Sequence, residues 1–170
     1  IQHIFTGDRD EEPWSMSKGE QHLYVYGLPV HKTGNAVLLR RSDAEGFHMG
    51  LFHVALDDKA EGQVLSLKTR ELRSLPFDFN ALGYLHHFRL FKVSDRLLAV
   101  YPGSPEGVEE DETGDRYVVS LTVRDNRIHQ FRRVSVNSMR IVNLCLDITD
   151  MKHADEIAAP ALDIAGEVDP

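Results

Sequence analysis

Between residues 21 and 150, hydrophobic positions recur mostly with a period of two, the spacing of β-strands. The clearest case sets Tyr117, Val119, Leu121 and Val123 against Arg116, Val118, Ser120 and Thr122. A second sets Val142, Leu144, Leu146 and Ile148 against Asn143 and Asp147. Such alternation places one face against a core and one in water. The pattern predicts strands near 22–28, 36–41, 47–56, 63–67, 84–93, 97–101, 116–124, 127–136 and 140–148. Short polar clusters separate them and read as hairpin loops: Ser42 to Gly46, Asp57 to Gly62, Ser94 to Arg96, and Asp125-Asn126. Aspartate and asparagine tolerate the left-handed conformation that a two-residue turn demands.

Helical signals are few. Thr69 to Leu75 suits a turn or two before Pro76, and Asp150 suits the cap of a helix over 151–158 that stops ahead of Pro160. The stretch from Phe77 to His87 fits both periods. Nothing repeats at the 20–50 residue spacing of solenoids or propellers. The fold expected is therefore all-β with minor α. It is an antiparallel β-barrel or a two-sheet β-sandwich of eight to nine short strands, with one or two short helices. Residues 1–20 lack periodicity and read as an extended N-terminal arm, 21–150 as a single β domain, and 151–170 as a short helix with an acidic C-terminal tail.

Composition sharpens the class. The 170 residues are 42% hydrophobic, within the globular range, and a chain of this length hides roughly 70% of its unfolded surface. No apolar run approaches the roughly 20 residues of a membrane-spanning helix. Cys145 is the single cysteine, which excludes an internal disulfide and suits a reducing or an oxidising compartment alike. The chain begins at Ile1 and not at methionine, as after removal of a secretory leader or by truncation.

Charge is unevenly spread. The net −8 is concentrated at both ends and in 102–115, where Glu106, Glu109, Glu110, Asp111, Glu112 and Asp115 face no base. The remaining body is mildly basic. Arg116, Arg124, Arg127, Arg132, Arg133 and Arg140 crowd 116–140 beside Tyr117, His129 and Phe131, and arginine outnumbers lysine 13 to 6. Arginine's planar, weakly hydrated fork is suited to protein interfaces and anionic groups. Strand alternation splits Arg132 from Arg133, so about half of these arginines share a face. The loop 102–115 leads directly into this hairpin and reads as a solvated segment able to fold over it.

Familiar catalytic and metal patterns fail on geometry. His48 and His53 are five apart and face opposite sides of a strand, and His86 and His87 diverge as neighbours, so no metal or other cofactor is expected. Glu109, Asp111 and Thr113 mimic the start of a calcium loop, but Ser120 falls where a bidentate glutamate belongs. Gly103-Ser104-Pro105-Glu106-Gly107 lacks the glycine spacing of a nucleophile elbow. Cys145 reads as packing within an apolar run.

The function expected is that of a non-enzymatic protein-binding module, such as an inhibitor or immunity-type protein. Glu109, Glu110, Asp111 and Glu112 on the acidic loop and Arg124, Arg127, Arg132 and Arg133 on the hairpin would meet the partner, with Trp14, Tyr24, Tyr26 and Tyr101 as aromatic anchors. The alternative is a small-molecule-binding or catalytic barrel whose interior is lined by His48, Tyr84, His86 and Tyr101, a histidine acting as general base. Nucleic acid is disfavoured by whole-chain acidity and few lysines.

Overall fold

A computed structural model describes residues 12–28, 40–57, 64–93 and 96–168. Among the described residues, nine strands form two sheets, with two helices. The strands are β1 (Trp14–Lys18), β2 (Gln21–Leu28), β3 (Phe47–Leu56), β4 (Leu65–Leu67), β5 (Phe79–Gly83), β6 (Arg89–Val93), β7 (Arg96–Tyr101), β8 (Tyr117–Arg124) and β9 (Arg127–Ser135); the helices are α1 (Thr69–Leu72) and α2 (Asp155–Gly166). The larger sheet runs β1-β2-β3-β5-β7-β6, with β4 beside β3, and β8–β9 form a separate two-stranded sheet. The all-β, sandwich-like class is as the alternation predicts.

Pairing direction needs correction. The three tight connections give antiparallel pairs: β1–β2, β6–β7 and β8–β9. The middle of the larger sheet, however, is parallel, with β3 parallel to β2, β4 and β5, and β5 parallel to β7. The physical reason lies in the connections. Parallel neighbours need long crossovers, and the chain between β2 and β3, or between β3 and β5, is long enough to supply them. Strands in such a centre are covered on both sides and become almost continuously apolar, as β3 is in Phe47-His48-Met49-Gly50-Leu51-Phe52.

The two faces of β3 bind different partners. Phe52, Val54 and Leu56 join Tyr26, Leu82, Ala99 and Tyr101 beneath the β4–α1 layer, represented by Leu67, Leu72, Leu75 and Phe77. On the other face, Phe47, Phe79 and Val100 meet Val119, Leu121, Val123, Ile128 and Phe131 of the hairpin. The hairpin's inner face therefore lies on the larger sheet. Its turn, with Asp125 at φ 48° and Asn126 at φ 57°, has the doubly left-handed form that matches strand twist.

Four boundaries differ from expectation. The strand predicted over 84–93 begins only at Arg89, and Phe79–Gly83, within the stretch that fits both periods, is a strand of its own. Trp14–Lys18, placed in an extended arm by sequence, is an edge strand on β2; residues 1–11 and positions 36–39 of the strand predicted over 36–41 lie outside the described residues, and Arg40 and Arg41 are in no strand. Residues 140–148 form no strand, because alternation specifies a face without supplying a neighbour to pair with, and Cys145 is consequently exposed rather than packed. Helix α2 starts four residues late and runs through Pro160, carried by the strong helix formers Ala158, Ala159, Ala161 and Leu162. Among the described residues, no helix is long and apolar enough to cross a membrane.

Candidate functional site

A cleft of about 180 Å³ opens where the β8–β9 hairpin meets the larger sheet, lined by His86, His87, Phe88, Pro102, Ser104, Asp115, Arg116, Tyr117 and Arg133. Three chain segments converge to form it. The first follows β5 through Tyr84, whose φ of 114° is unusual for a bulky residue, and delivers His86, His87 and Phe88. The second follows β7. There Gly103 takes φ 85° and lies so close that a Cβ would sit 2.8 Å from the His86 carbonyl oxygen; Ser104 N–H donates to that same oxygen at 3.1 Å. The hairpin supplies the third.

Behind the cleft sits a buried ionic knot. Glu112 is 1% exposed and Arg116 7%. Glu112 Oε1 accepts from Ser104 Oγ at 2.5 Å and Arg116 Nη2 at 3.3 Å, while Oε2 accepts from the Val108 and Glu109 amides at 2.6 and 3.1 Å. His86 Nδ1 lies 2.9 Å from Oε1. The Ser104 hydroxyl, then those two amides and the Arg116 guanidinium, outweigh desolvation and hold the Glu112 carboxyl at about 2. Arg116 also donates to the carbonyl oxygens of His86 and Ser104. It thus ties all three segments together through Nε and Nη2.

The cleft's available cation is Arg133. Its guanidinium carbon lies 3.9 Å from the Tyr117 ring centroid and 4.3 Å from that of Phe88. Each such contact contributes about 0.5–1 kcal/mol at an exposed site. Among the described residues, no carboxylate forms an ion pair with Arg133. Stacking holds the plane of the group while its N–H edge stays able to grip a planar anion. His86 and His87 stand at the rim; His87 Nε2 is 3.4 Å from Asp111.

The sequence-predicted residues thus fall into separate places. Arg133 enters the cleft, whereas Arg124, Arg127 and Arg132 share the hairpin's outer face, as cross-strand pairing of Arg124 with Arg127 and of Arg132 with Ser120 requires. Glu109, Glu110 and Asp111 are exposed. Glu112 is not available to a partner, because it is the internal anchor around which loop 102–115 folds. Glu106 and Asp115 are likewise engaged. Glu106 accepts from the Ser138 and Met139 amides, which lower its pKa, and Asp115 pairs with Arg140 at 2.7 Å.

The four residues expected to line one interior do not meet. His86 belongs to the cleft. Tyr101 is fully buried and donates to the Val54 carbonyl at 2.6 Å, and Tyr84 packs edge-on to His53. His48 is 0% exposed, with Nδ1 2.7 Å from the Tyr26 hydroxyl and Nε2 3.0 Å from the Ala44 carbonyl. The Ser42 amide donates to the Tyr26 oxygen, so Tyr26 O–H donates to Nδ1 and Nε2–H donates to Ala44. Burial lowers the His48 pKa, and this neutral, fully bonded ring is a structural element. Tyr26 and Tyr101 are core residues and not surface anchors. Sequence reasoning missed Phe88 and weighed His87 and Ser104 only as a metal ligand and a nucleophile; the one signal for the knot was the pairing of Glu112 with Arg116 four residues on.

A comparison with protein-family models finds none that matches the chain, and a comparison with curated proteins finds no relative.

Proposed function

We propose that the protein is an interaction module that captures an acidic segment of a protein partner in the cleft, with Arg133 as the anion-binding group. The observation that carries this reading is the guanidinium held over Phe88 and Tyr117 without a carboxylate partner among the described residues. A carboxylate fits better than a phosphate dianion, because Asp115 shares the cleft wall and Asp111 stands at its rim beside His87. The aromatic rings favour a ligand with apolar atoms beside its charge. The exposed Glu109, Glu110 and Asp111 suit steering toward basic groups flanking that segment. An inhibitor or immunity-type role follows where the captured segment borders a partner's own active site.

Titration of the full chain with a fluorescent Glu/Asp-rich peptide tests the reading. Binding saturates, weakens with added salt, and falls roughly 10- to 30-fold in Arg133→Ala, while Arg124→Ala on the outer face leaves it unchanged. Equal affinity in wild type and Arg133→Ala overturns it.

One observation favours a second reading, general acid–base catalysis by His86. Glu112 fixes its Nδ1 and turns Nε2 away from the knot. If His86→Ala keeps peptide binding and abolishes turnover of a bound ester or peptide, catalysis replaces capture as the conclusion.

A further inference from the structure

The C-terminal arm, residues 142–168, has apolar residues with nothing to cover them. Val142, Leu144 and Ile148 are exposed in a segment without regular secondary structure, and Leu162 is 73% exposed on α2, a helix that buries no residue at all. Among the described residues, the arm's hydrogen bonds beyond Ile141 are local, as in Thr149 to Asp147 and Lys152 to Glu156. Its charge is acidic: α2 carries Asp155, Glu156 and Asp163, followed by Glu167, with no base between them.

The outer face of the β8–β9 hairpin is its complement. Val118 and Val134 are exposed as a cross-strand pair with Val136 beside them, and Arg124, Arg127 and Arg132 share the same side. The dimensions agree as well. Twelve helical residues span about 18 Å, and an eight-residue strand about 26 Å.

We propose that two copies of the chain associate reciprocally, the arm of each docking on the outer hairpin face of the other. Apolar side chains of 142–148 and α2 cover Val118, Val134 and Val136, while the helix carboxylates pair with Arg124, Arg127 and Arg132. One chain carries both halves of the complementarity, so a two-fold dimer satisfies each of them twice. The cleft lies on the opposite, inner side of the hairpin, so this inference stands apart from partner capture.

Sedimentation velocity on the full chain from about 1 to 100 µM provides the test. The wild type shows a monomer–dimer equilibrium that weakens with salt. Reversal of the face (R124E/R127E/R132E) and reversal of the helix (D155K/E156K/D163K) each raise the dissociation constant by roughly tenfold or more. Mixing the two reversed chains restores a heterodimer, which also shows that both are folded. A wild type monomeric at the highest concentration, a dimer indifferent to both reversals, or a monomer in which hydrogen exchange shows the arm docked on its own hairpin each overturns the proposal.

Discussion

Replacing Arg116 by alanine removes a side chain that, with Glu112, joins all three segments of the cleft wall. Its guanidinium, 7% exposed, donates to the His86 carbonyl, to the Ser104 carbonyl and hydroxyl at 3.3 Å each, and to Glu112 at 3.3 Å. Breaking a buried ion pair by deleting one partner costs about 3–5 kcal/mol, chiefly because the other charge is left behind. Here Glu112 retains the Ser104 hydroxyl and two backbone amides, so the loss belongs at the lower end, about 3 kcal/mol. For a domain of this size that is a fall in Tm of roughly 6–12 °C. Arg116→Lys restores the charge without the fork and recovers only part of it. Urea denaturation at pH 7 followed by far-UV circular dichroism, with a parallel thermal scan, measures both variants. A loss below about 1 kcal/mol, within the range of an exposed pair, or a lysine variant as stable as wild type, refutes the reasoning.

Three further outcomes follow from the same network. Acidification removes stability in two windows. Burial lowers the His48 pKa below its ordinary 6.5, so the unfolded chain takes that proton first and stability declines as pH falls below 6.5. Glu112, held at about 2 against 4.5 when unperturbed, contributes stability that is complete above 4.5 and lost as pH falls toward 2. Unfolding free energies measured at stepped pH from 7 to 3 check both windows, and a flat profile contradicts them. Tyr26→Phe leaves His48 Nδ1 and the Ser42 amide unpaired and costs about 1–3 kcal/mol; an unchanged denaturation midpoint contradicts the bonding scheme drawn for His48. Gly103→Ala places a side chain at φ 85° against the His86 carbonyl, costs about 1–3 kcal/mol, and weakens peptide capture, both of which denaturation and titration of one variant report.

Local features were legible in the sequence. Asp125-Asn126 specifies its turn from two residues, and alternation alone separates Arg132 from Arg133. Pairing direction was not, because direction depends on where a long connection returns, and that is decided by burial on both faces of β3. The alternation of 140–148 matches that of a strand, yet among the described residues no strand pairs with it. Glu112 reads as one acid in a solvated run, since its spacing from Arg116 is the only local hint of the knot and nothing in the sequence announces that Ser104 and His86 close around it. His86 lines the cleft, whereas His48 and Tyr101 belong to the core, where their polar atoms are already bonded.

The role of Arg133 is tested most directly by resolving the arginine side-chain Nε–Hε signals in nitrogen-15 spectra during titration with the acidic peptide. Capture in the cleft predicts that the Arg133 signal shifts saturably, together with the ring signals of His86 and His87, while those of Arg124, Arg127 and Arg132 stay in place. Movement of the outer arginines with Arg133 unperturbed contradicts the account.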